Sequence, residues 1–455
     1  MNLESRSLNL FNKLVSRLKD TKDKEALVWR DTRHNFQEIL DKVMFWREAT
    51  EVKNIPSGGV VLLDTDFSPN GIAIFFALAV KNCIIVPLSP AARKKADEFS
   101  EIAQIEYSIR INSDDQPTIA STGKIADSEL YIDLRNSHSP GLVLFSSGST
   151  GQSKAAVHNL FYLLEKFDTP RTALRTICFL LFDHIGGLNT LLHTFFNGGC
   201  LITVQGRMPD EVLAAVQNYK VELLPVSPTF INLILISEAY KKYDLTSLKI
   251  VSYGTEAMPE LTLKRFNSLF PGIKLLQTYG LSEIGIMRSK SESSDSLWVK
   301  LGGEGFETRV VDGLLEIKAR SAMLGYLNAA SPFSEDGWFK TGDAVEQKGE
   351  FFRILGRKSE LINVGGEKVF PAEVESVLLE IENVAEAAVY SEKHPLVGQI
   401  VCARITPKVS EDPKTLVKRI KIFCREKLQQ YKIPVKIQIV SDNQYNERFK
   451  TIRKA

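Results

Sequence analysis

Short β-branched runs alternate with helical patterns along the first half of the chain, and that alternation limits its fold more than any other feature. The runs Val60–Leu63, Cys83–Leu88, Gly141–Phe145, Ile177–Phe182, Leu201–Val204, Leu223–Val226 and Lys249–Ser252 are separated by helically spaced segments such as Asp210–Tyr219 and Thr229–Tyr240. Strands that alternate with helices pack as α/β layers around largely parallel sheets. After about Phe306 the character changes to hairpin-like strands, Thr308–Val311 and Leu314–Lys318, joined at Asp312-Gly313, a tight-turn dipeptide. A β-rich subdomain is expected to begin there. From Pro371 the pattern reads helix (Ala372–Leu379), strand (Val384–Tyr390), strand (Gln399–Thr406), helix (Pro413–Leu428) and strand (Val435–Val440), a compact α+β unit.

At 455 residues the chain exceeds the ~250–300 at which single cores stop growing, so two or more domains are expected. The fold class is α/β: a large N-terminal domain of layered α/β subdomains with a β-rich subdomain, residues 1–356, and a small mobile α+β C-terminal domain, residues 357–455. The boundary falls near Arg357–Glu360. The most apolar stretch, Gly71 to Val80, is followed by Lys81 and Asn82, well short of the ~20 residues that cross a bilayer. It reads as a core helix, and no integral membrane segment is expected. Lys and Arg total 57 against 55 for Asp and Glu, so nothing in the charge balance favours nucleic acid as a partner. The five cysteines are scattered without metal-site or redox spacings, and the N-terminus lacks the apolar segment of a secretory signal. A cytoplasmic protein with reduced, mostly buried thiols is the expectation.

One segment points to phosphate chemistry. Ser146-Ser147-Gly148-Ser149-Thr150-Gly151-Gln152-Ser153-Lys154 follows the apolar strand Gly141–Phe145. Small residues let the backbone curl so that N–H groups and hydroxyls converge on phosphate oxygens, and the lysine adds charge. A Ser/Gly surface linker would share the composition but not the preceding strand or the lysine. The spacing is not that of a kinase-type P-loop, which needs four residues between its glycines and a Gly-Lys-Ser/Thr ending.

The loop resembles the signature of the adenylate-forming (AMP-binding) superfamily, which includes acyl-CoA synthetases, peptide-synthetase adenylation domains and firefly luciferase. Further elements follow in that family's order. Gln277-Thr278-Tyr279-Gly280-Leu281-Ser282-Glu283 is similar to its Tyr-Gly-x-Thr-Glu element, Trp338–Asp343 to its Lys/Arg-Thr-Gly-Asp element, and Gly356–Glu375 to its Gly-Arg hinge and glycine loop. The resemblance implies that Tyr279 stacks on adenine, Ser282 hydrogen-bonds the α-phosphate, and Glu283 holds Mg²⁺, a hard cation suited to carboxylate and phosphate oxygens. It implies that Asp343 takes the ribose hydroxyls and that Arg357 reaches the same sugar or a phosphate. Gly254-Thr255-Glu256 would be the turn against adenine and the acyl pocket.

The closing Arg448-Phe449-Lys450-Thr451-Ile452-Arg453 resembles the family's Gly-Lys-x-x-Arg element, with Phe449 in place of the glycine and without the usual upstream Pro-x-Thr. Lys450 would then stabilise charge in the adenylation step; the alternative is a frayed basic tail. Asp183, His184 and Gly186 lie where the family lines its acyl pocket. A helix start there suits a carboxylate; Asp183 either caps that helix or faces a substrate ammonium. Gly365 and Gly366 would let a pantetheine arm approach the backbone, after the C-terminal domain swings about a hinge near Ser359.

What the resemblance implies is an AMP-forming acid–thiol ligase using ATP and Mg²⁺, with a carboxylic acid as substrate and CoA as acceptor. Two alternatives stand beside it: a ligase loading the pantetheine of an acyl carrier protein, and a catalytically degenerate nucleotide-binding regulatory protein. Intact Lys154, Glu283, Asp343 and Arg357 argue against the last.

Overall fold

Two seven-stranded sheets carry the N-terminal part of the molecule. The structure, a computed structural model, describes residues 21–147 and 152–453. Gly148, Ser149, Thr150 and Gly151 of the phosphate loop lie outside the described residues, as do the side chain of Ser147 and the N-terminal segment read for a secretory signal.

In one sheet Tyr107–Ile111, Val60–Asp64, Ile84–Leu88 and Gly141–Ser147 run parallel. Pro117–Ser121 closes one edge antiparallel; Ser153–Asn159 and then Gly325–Tyr326 close the other. In the second sheet Lys274–Gln277, Ile250–Tyr253, Leu223–Val226, Arg175–Cys178, Cys200–Thr203 and Glu25–Trp29 run parallel, and Thr32–Asn35 returns antiparallel beside the last. One apolar cluster joins the two sheets. It takes in Val61 and Leu201 from the strands together with Phe75, Phe182, Leu188 and Phe195 from the layer between. The helix Pro69–Val80 lies in that layer, all but its last residue buried, which is why it is apolar on every side.

The expected strand Ile177–Phe182 is a correction: the sheet holds Arg175–Cys178 only. Phe179 leaves it to pack at a tilt against Phe230 and Phe449, and a turn closed by His184 N–H on the Leu181 carbonyl follows. The helix expected over Thr229–Tyr240 runs from Pro228 to Ser237 and stops where Glu238 turns left-handed at φ 51°.

The β-rich region also begins earlier than Phe306. Arg288–Ser291 and Val299–Gly302 already belong to its six-stranded antiparallel sheet, with Phe306–Val311, Leu314–Ala319, Phe339–Lys348 and Phe351–Arg357. The polar Arg-Ser-Lys-Ser strand gave no apolar signal. Asp312 and Gly313 turn the hairpin with positive φ at both residues, 50° and 75°.

Beyond the short 3₁₀ turn Lys358–Glu360, five strands form a separate sheet: Ile362–Val364, Glu367–Val369, Val384–His394, Gly398–Pro407 and Lys436–Ile439. Helices Pro371–Leu378 and Pro413–Lys427 cover it around their own apolar cluster, including Leu378, Val389, Val401 and Ile420. Phe449, near the end of the chain, buries its ring instead in the cluster of the second N-terminal sheet. All five cysteines are free and buried. Among the described residues no helix is long and apolar enough to cross a membrane.

Candidate active site

Four separate elements meet around one carboxylate. Glu283 sits in the turn of the two-stranded hairpin Gly280–Leu281 with Gly285–Ile286. Its Oε1 accepts from Tyr326 OH at 2.8 Å and from Ser146 Oγ at 3.4 Å. Its backbone is held as well, since Met323 N–H donates to the Glu283 carbonyl at 2.7 Å. The Lys154 amine lies 5.4 Å from the Tyr326 ring centroid, so the Ser/Gly loop's lysine and Glu283 share one neighbour. Behind them His158 Nε2 contacts the Ser282 carbonyl at 2.6 Å from the fully buried strand position that follows Ala155-Ala156-Val157. Burial pushes the His158 imidazolium down, so the ring is the neutral Nε2–H donor.

A second pair stands beside this cage. Asp343 and Arg357 are register partners on adjacent antiparallel strands, and the guanidinium Nε lies 3.3 Å from Asp343 Oδ1. Tyr279 OH donates to the other carboxylate oxygen at 2.5 Å. Burial raises the Asp343 carboxyl above its ordinary range even though Arg357 pulls it the other way. The Tyr279 hydroxyl is raised as well, by burial and by the Asp343 charge. The strand register brings Asp343 to Arg357, and the Tyr279 hydroxyl joins them from a separate turn.

The turn after Ile250–Tyr253 is tight. A Cβ on Gly254 would meet the Thr278 carbonyl oxygen and hydroxyl at 2.7 Å, and Thr255 adopts φ 75°, where a β-branched residue is strained. Glu256 has a use that the sequence does not reveal. Its Oε1 accepts from Thr229 N–H at 3.0 Å and its Oε2 from Thr451 N–H at 3.1 Å, so it ties a helix start to the end of the chain.

At the start of helix Ile185–Phe196 the capping residue is His184, whose Nδ1 accepts from Gly186 N–H at 3.1 Å. This corrects the reading of Asp183 as the cap. Asp183 is buried, both its oxygens lack hydrogen-bond partners, and Arg448 Nη2 stands 3.6 Å away. A buried carboxylate without hydrogen bonds is costly, and the arginine is what offsets it. A Cβ on Gly186 would meet Leu180 at 2.6 Å, so glycine there serves close packing.

The basic segment 448–453 is not frayed. The turn Asn446–Lys450 closes on itself, and Phe449 is 7% exposed. Arg453 reaches Glu375 at 2.8 Å and Glu360 at 2.7 Å. Lys450 lines one small pocket with Phe179, Leu180, His184 and Thr255. Burial pushes its amine down to about 8; Glu256 opposes the shift, and the cations Arg448 and Arg357 add to it. His184 is driven well below the usual histidine range by burial and then by Lys450 and Arg448.

Gly365 and Gly366 stand apart from this cluster. They turn the hairpin Ile362–Val364 with Glu367–Val369, and that hairpin's contacts run to Val397, Gly398 and Gln399 of its own sheet. Sequence reasoning missed His158, Tyr326 and the partners of Phe449. His158 carried a signal, a lone polar group in an apolar run that has to be satisfied when buried. Tyr326 carried none.

A family model described as "AMP-binding enzyme" matches residues 14–313, and one described as "AMP-binding enzyme C-terminal domain" matches residues 373–450. The chain is similar to the peroxisomal OPC-8:0-CoA ligase 1 of Arabidopsis thaliana, 30% identical over 69% of this chain and 62% of that protein. It is 26% identical to the 3-[(3aS,4S,7aS)-7a-methyl-1,5-dioxo-octahydro-1H-inden-4-yl]propanoyl:CoA ligase of Rhodococcus jostii, over 68% of this chain and 63% of that one. The matched region thus spans under two thirds of these relatives' length. Its fold is that of ATP-bound MatB from Rhodopseudomonas palustris, with a TM-score of 0.78 at 21% identity over 98% of this chain and 97% of that one.

Proposed function

Because this chain belongs to the family of AMP-binding enzymes, we propose that it joins a carboxylic acid to AMP with ATP and then transfers the acyl group to the thiol of CoA. The observation that supports this is the pocket around Lys450. A cation from the last turns of the chain stands with His184 and Thr255, at a helix start, and Arg357 contributes to its field.

In the first half-reaction a carboxylate oxygen attacks the α-phosphorus of ATP, and the bond to pyrophosphate breaks. Lys450 stabilises the charge that shifts between carboxylate and α-phosphate, a role that a preorganised, desolvated cation fills well. Ser146, Lys154 and the rest of the loop hold phosphate oxygens, Ser282 donates to the α-phosphate, Tyr279 lies against adenine, and Asp343 and Arg357 take the ribose.

Glu283 fits Mg²⁺. Among the described residues no group of three or more His, Cys, Asp or Glu side chains converges, and Mg²⁺ takes one or two carboxylates with phosphate and water as its other ligands. Bound there, it would neutralise charge on the departing pyrophosphate.

In the second half-reaction the thiolate attacks the acyl carbonyl and AMP leaves. Residues 1–356 form the part that binds ATP and acid. Residues 357–455 form a lid that turns about Ser359, exchanging the Lys450 face for the Gly365-Gly366 hairpin. CoA is favoured over a carrier protein because the relatives named above are CoA ligases. The test is pyrophosphate release across a panel of aliphatic, aromatic and amino acids, followed by thioester formation with CoA. No acid-dependent pyrophosphate release from any member of the panel would refute the reading.

A further inference from the structure

Resting on the reading that Lys450 serves the acid-activating step, we propose that Phe449 is a positioning residue: its ring, seated against Phe179 and Phe230 of the N-terminal part, fixes where the Lys450 amine stands. The resembled closing element has glycine at this position. Here Phe449 adopts φ 51°, a left-handed conformation that glycine takes freely and phenylalanine does not. Such strain persists only where the surroundings over-determine it. They do so here. The ring centroid lies 5.2 Å from Phe179 and 5.3 Å from Phe230, with Tyr445 stacked on its other side at 5.2 Å.

Phe179 follows a strand of the second sheet, and Phe230 is on helix Pro228–Ser237. Two of the three rings, Phe179 and Phe230, therefore belong to the N-terminal part, while Phe449 and Tyr445 enter together from the C-terminal unit. On either side, Arg448 faces the buried Asp183 and Thr451 N–H is held by Glu256. Lys450 lies between two anchored residues, and of the two only Phe449 is anchored by its side chain in apolar surroundings. Withdrawing the lysine from its pocket means withdrawing the ring from the box. The anchor therefore favours the acid-activating arrangement and slows departure from it.

The test uses the full chain with F449G and F449L. The Lys450 amine is acylated by an N-hydroxysuccinimide ester at pH 9 and the peptide is followed by mass spectrometry, with the exposed Lys340 as internal reference. Corrected for the ionisation of the amine, F449G is expected to label Lys450 about tenfold faster than wild type, and F449L to lie near wild type, because leucine still fills an apolar box. In ATP–pyrophosphate exchange F449G should lower kcat about tenfold with KM for ATP within twofold, and F449L should recover most of kcat. Equal labelling of Lys450 in F449G and wild type, after the same correction, would overturn the proposal. So would an F449L as impaired as F449G. Labelling requires neither acid nor thiol, so it tests the anchor even where no acid is activated; a failure to activate any acid would count against the proposed function alone.

Discussion

Two faces of the C-terminal unit meet very different surroundings. The closing segment is clasped: Phe449 in its aromatic box, Thr451 on Glu256, Arg448 by Asp183. The glycine hairpin is open. A Cβ on Gly365 or Gly366 would meet no described atom within 4 Å, and Gly366 lines a cavity of about 710 Å³ with Lys393, His394 and Gln399. One compact unit thus presents an engaged face and an idle one. Under the proposed function this is the arrangement in which an acid would be activated, and the idle face would replace the engaged one for thioester formation. The faces should therefore fail separately when altered.

The largest effect should come from a residue on neither face. Glu283→Gln is expected to abolish pyrophosphate release while leaving the melting temperature unchanged, because the neutral amide keeps the hydrogen bonds of Tyr326 and Ser146 but loses the charge proposed to bind Mg²⁺. Unchanged exchange at saturating Mg²⁺ would remove that role. Lys450→Ala tests the engaged face. It should slow pyrophosphate release about 10²–10³-fold, the usual loss of one preorganised transition-state partner. Thioester formation from a supplied acyl-adenylate should stay near wild type. Equal slowing of both half-reactions would mean that the segment is structural.

Asp343→Ala is expected to weaken ATP binding by about 10- to 100-fold, since hydrogen bonds to a charged group contribute roughly 1.5–3 kcal/mol. Calorimetry with ATP checks it; equal affinities would contradict it. Gly366→Leu tests the idle face. Its backbone φ of 97° disfavours any side chain, and a leucine would fill the space proposed for pantetheine. Thioester formation should fall about tenfold with pyrophosphate release unharmed. A wild-type thioester rate would mean that the thiol enters elsewhere.

The same two faces show what the sequence reveals and what it hides. The layered α/β order was legible because buried strands and helices must each carry an apolar pattern of their own period. Arg288–Ser291 was not, because a polar strand at a sheet edge has no such pattern. Tyr279, Ser282, Glu283, Asp343 and Arg357 stood out because they recur in a fixed order, and the register of two strands is what brings Asp343 to Arg357. The clasp on the closing segment was illegible for a different reason. Glu256 and Thr451, or Phe449 and Phe179, are separated by about two hundred residues or more, and no local spacing records such a pair. Of the two readings of Asp183, the cap does not hold although a carboxylate before a helix is a usual cap: the histidine after it does that work and the acid meets Arg448.

The smallest effect is a pH dependence, and it separates docking of the engaged face from its chemistry. Burial pushes the docked Lys450 amine down to about 8 from its ordinary 10.5, which a released segment would regain. Below about pH 8 the amine is charged in both states, and docking carries the full penalty of desolvating an ammonium. Between about 8 and 10.5 the docked form binds fewer protons than the released one, so docking strengthens as pH rises. The chemistry runs the other way, because only the ammonium stabilises the shifting charge, and pyrophosphate release should fall a few-fold as pH rises through about 8. Protection of Lys450 from labelling, corrected for its ionisation, should increase over the range in which the rate declines. Lys450→Arg keeps its charge throughout, since a guanidinium does not deprotonate in proteins. It should therefore lose the alkaline fall even if its absolute rate is lower. Thioester formation from supplied adenylate should not share the fall, because that step needs a thiolate rather than this lysine. A wild-type profile flat from pH 7 to about 10, or a Lys450→Arg variant that keeps the fall, would assign the titration to another group and leave the engaged face without its charge.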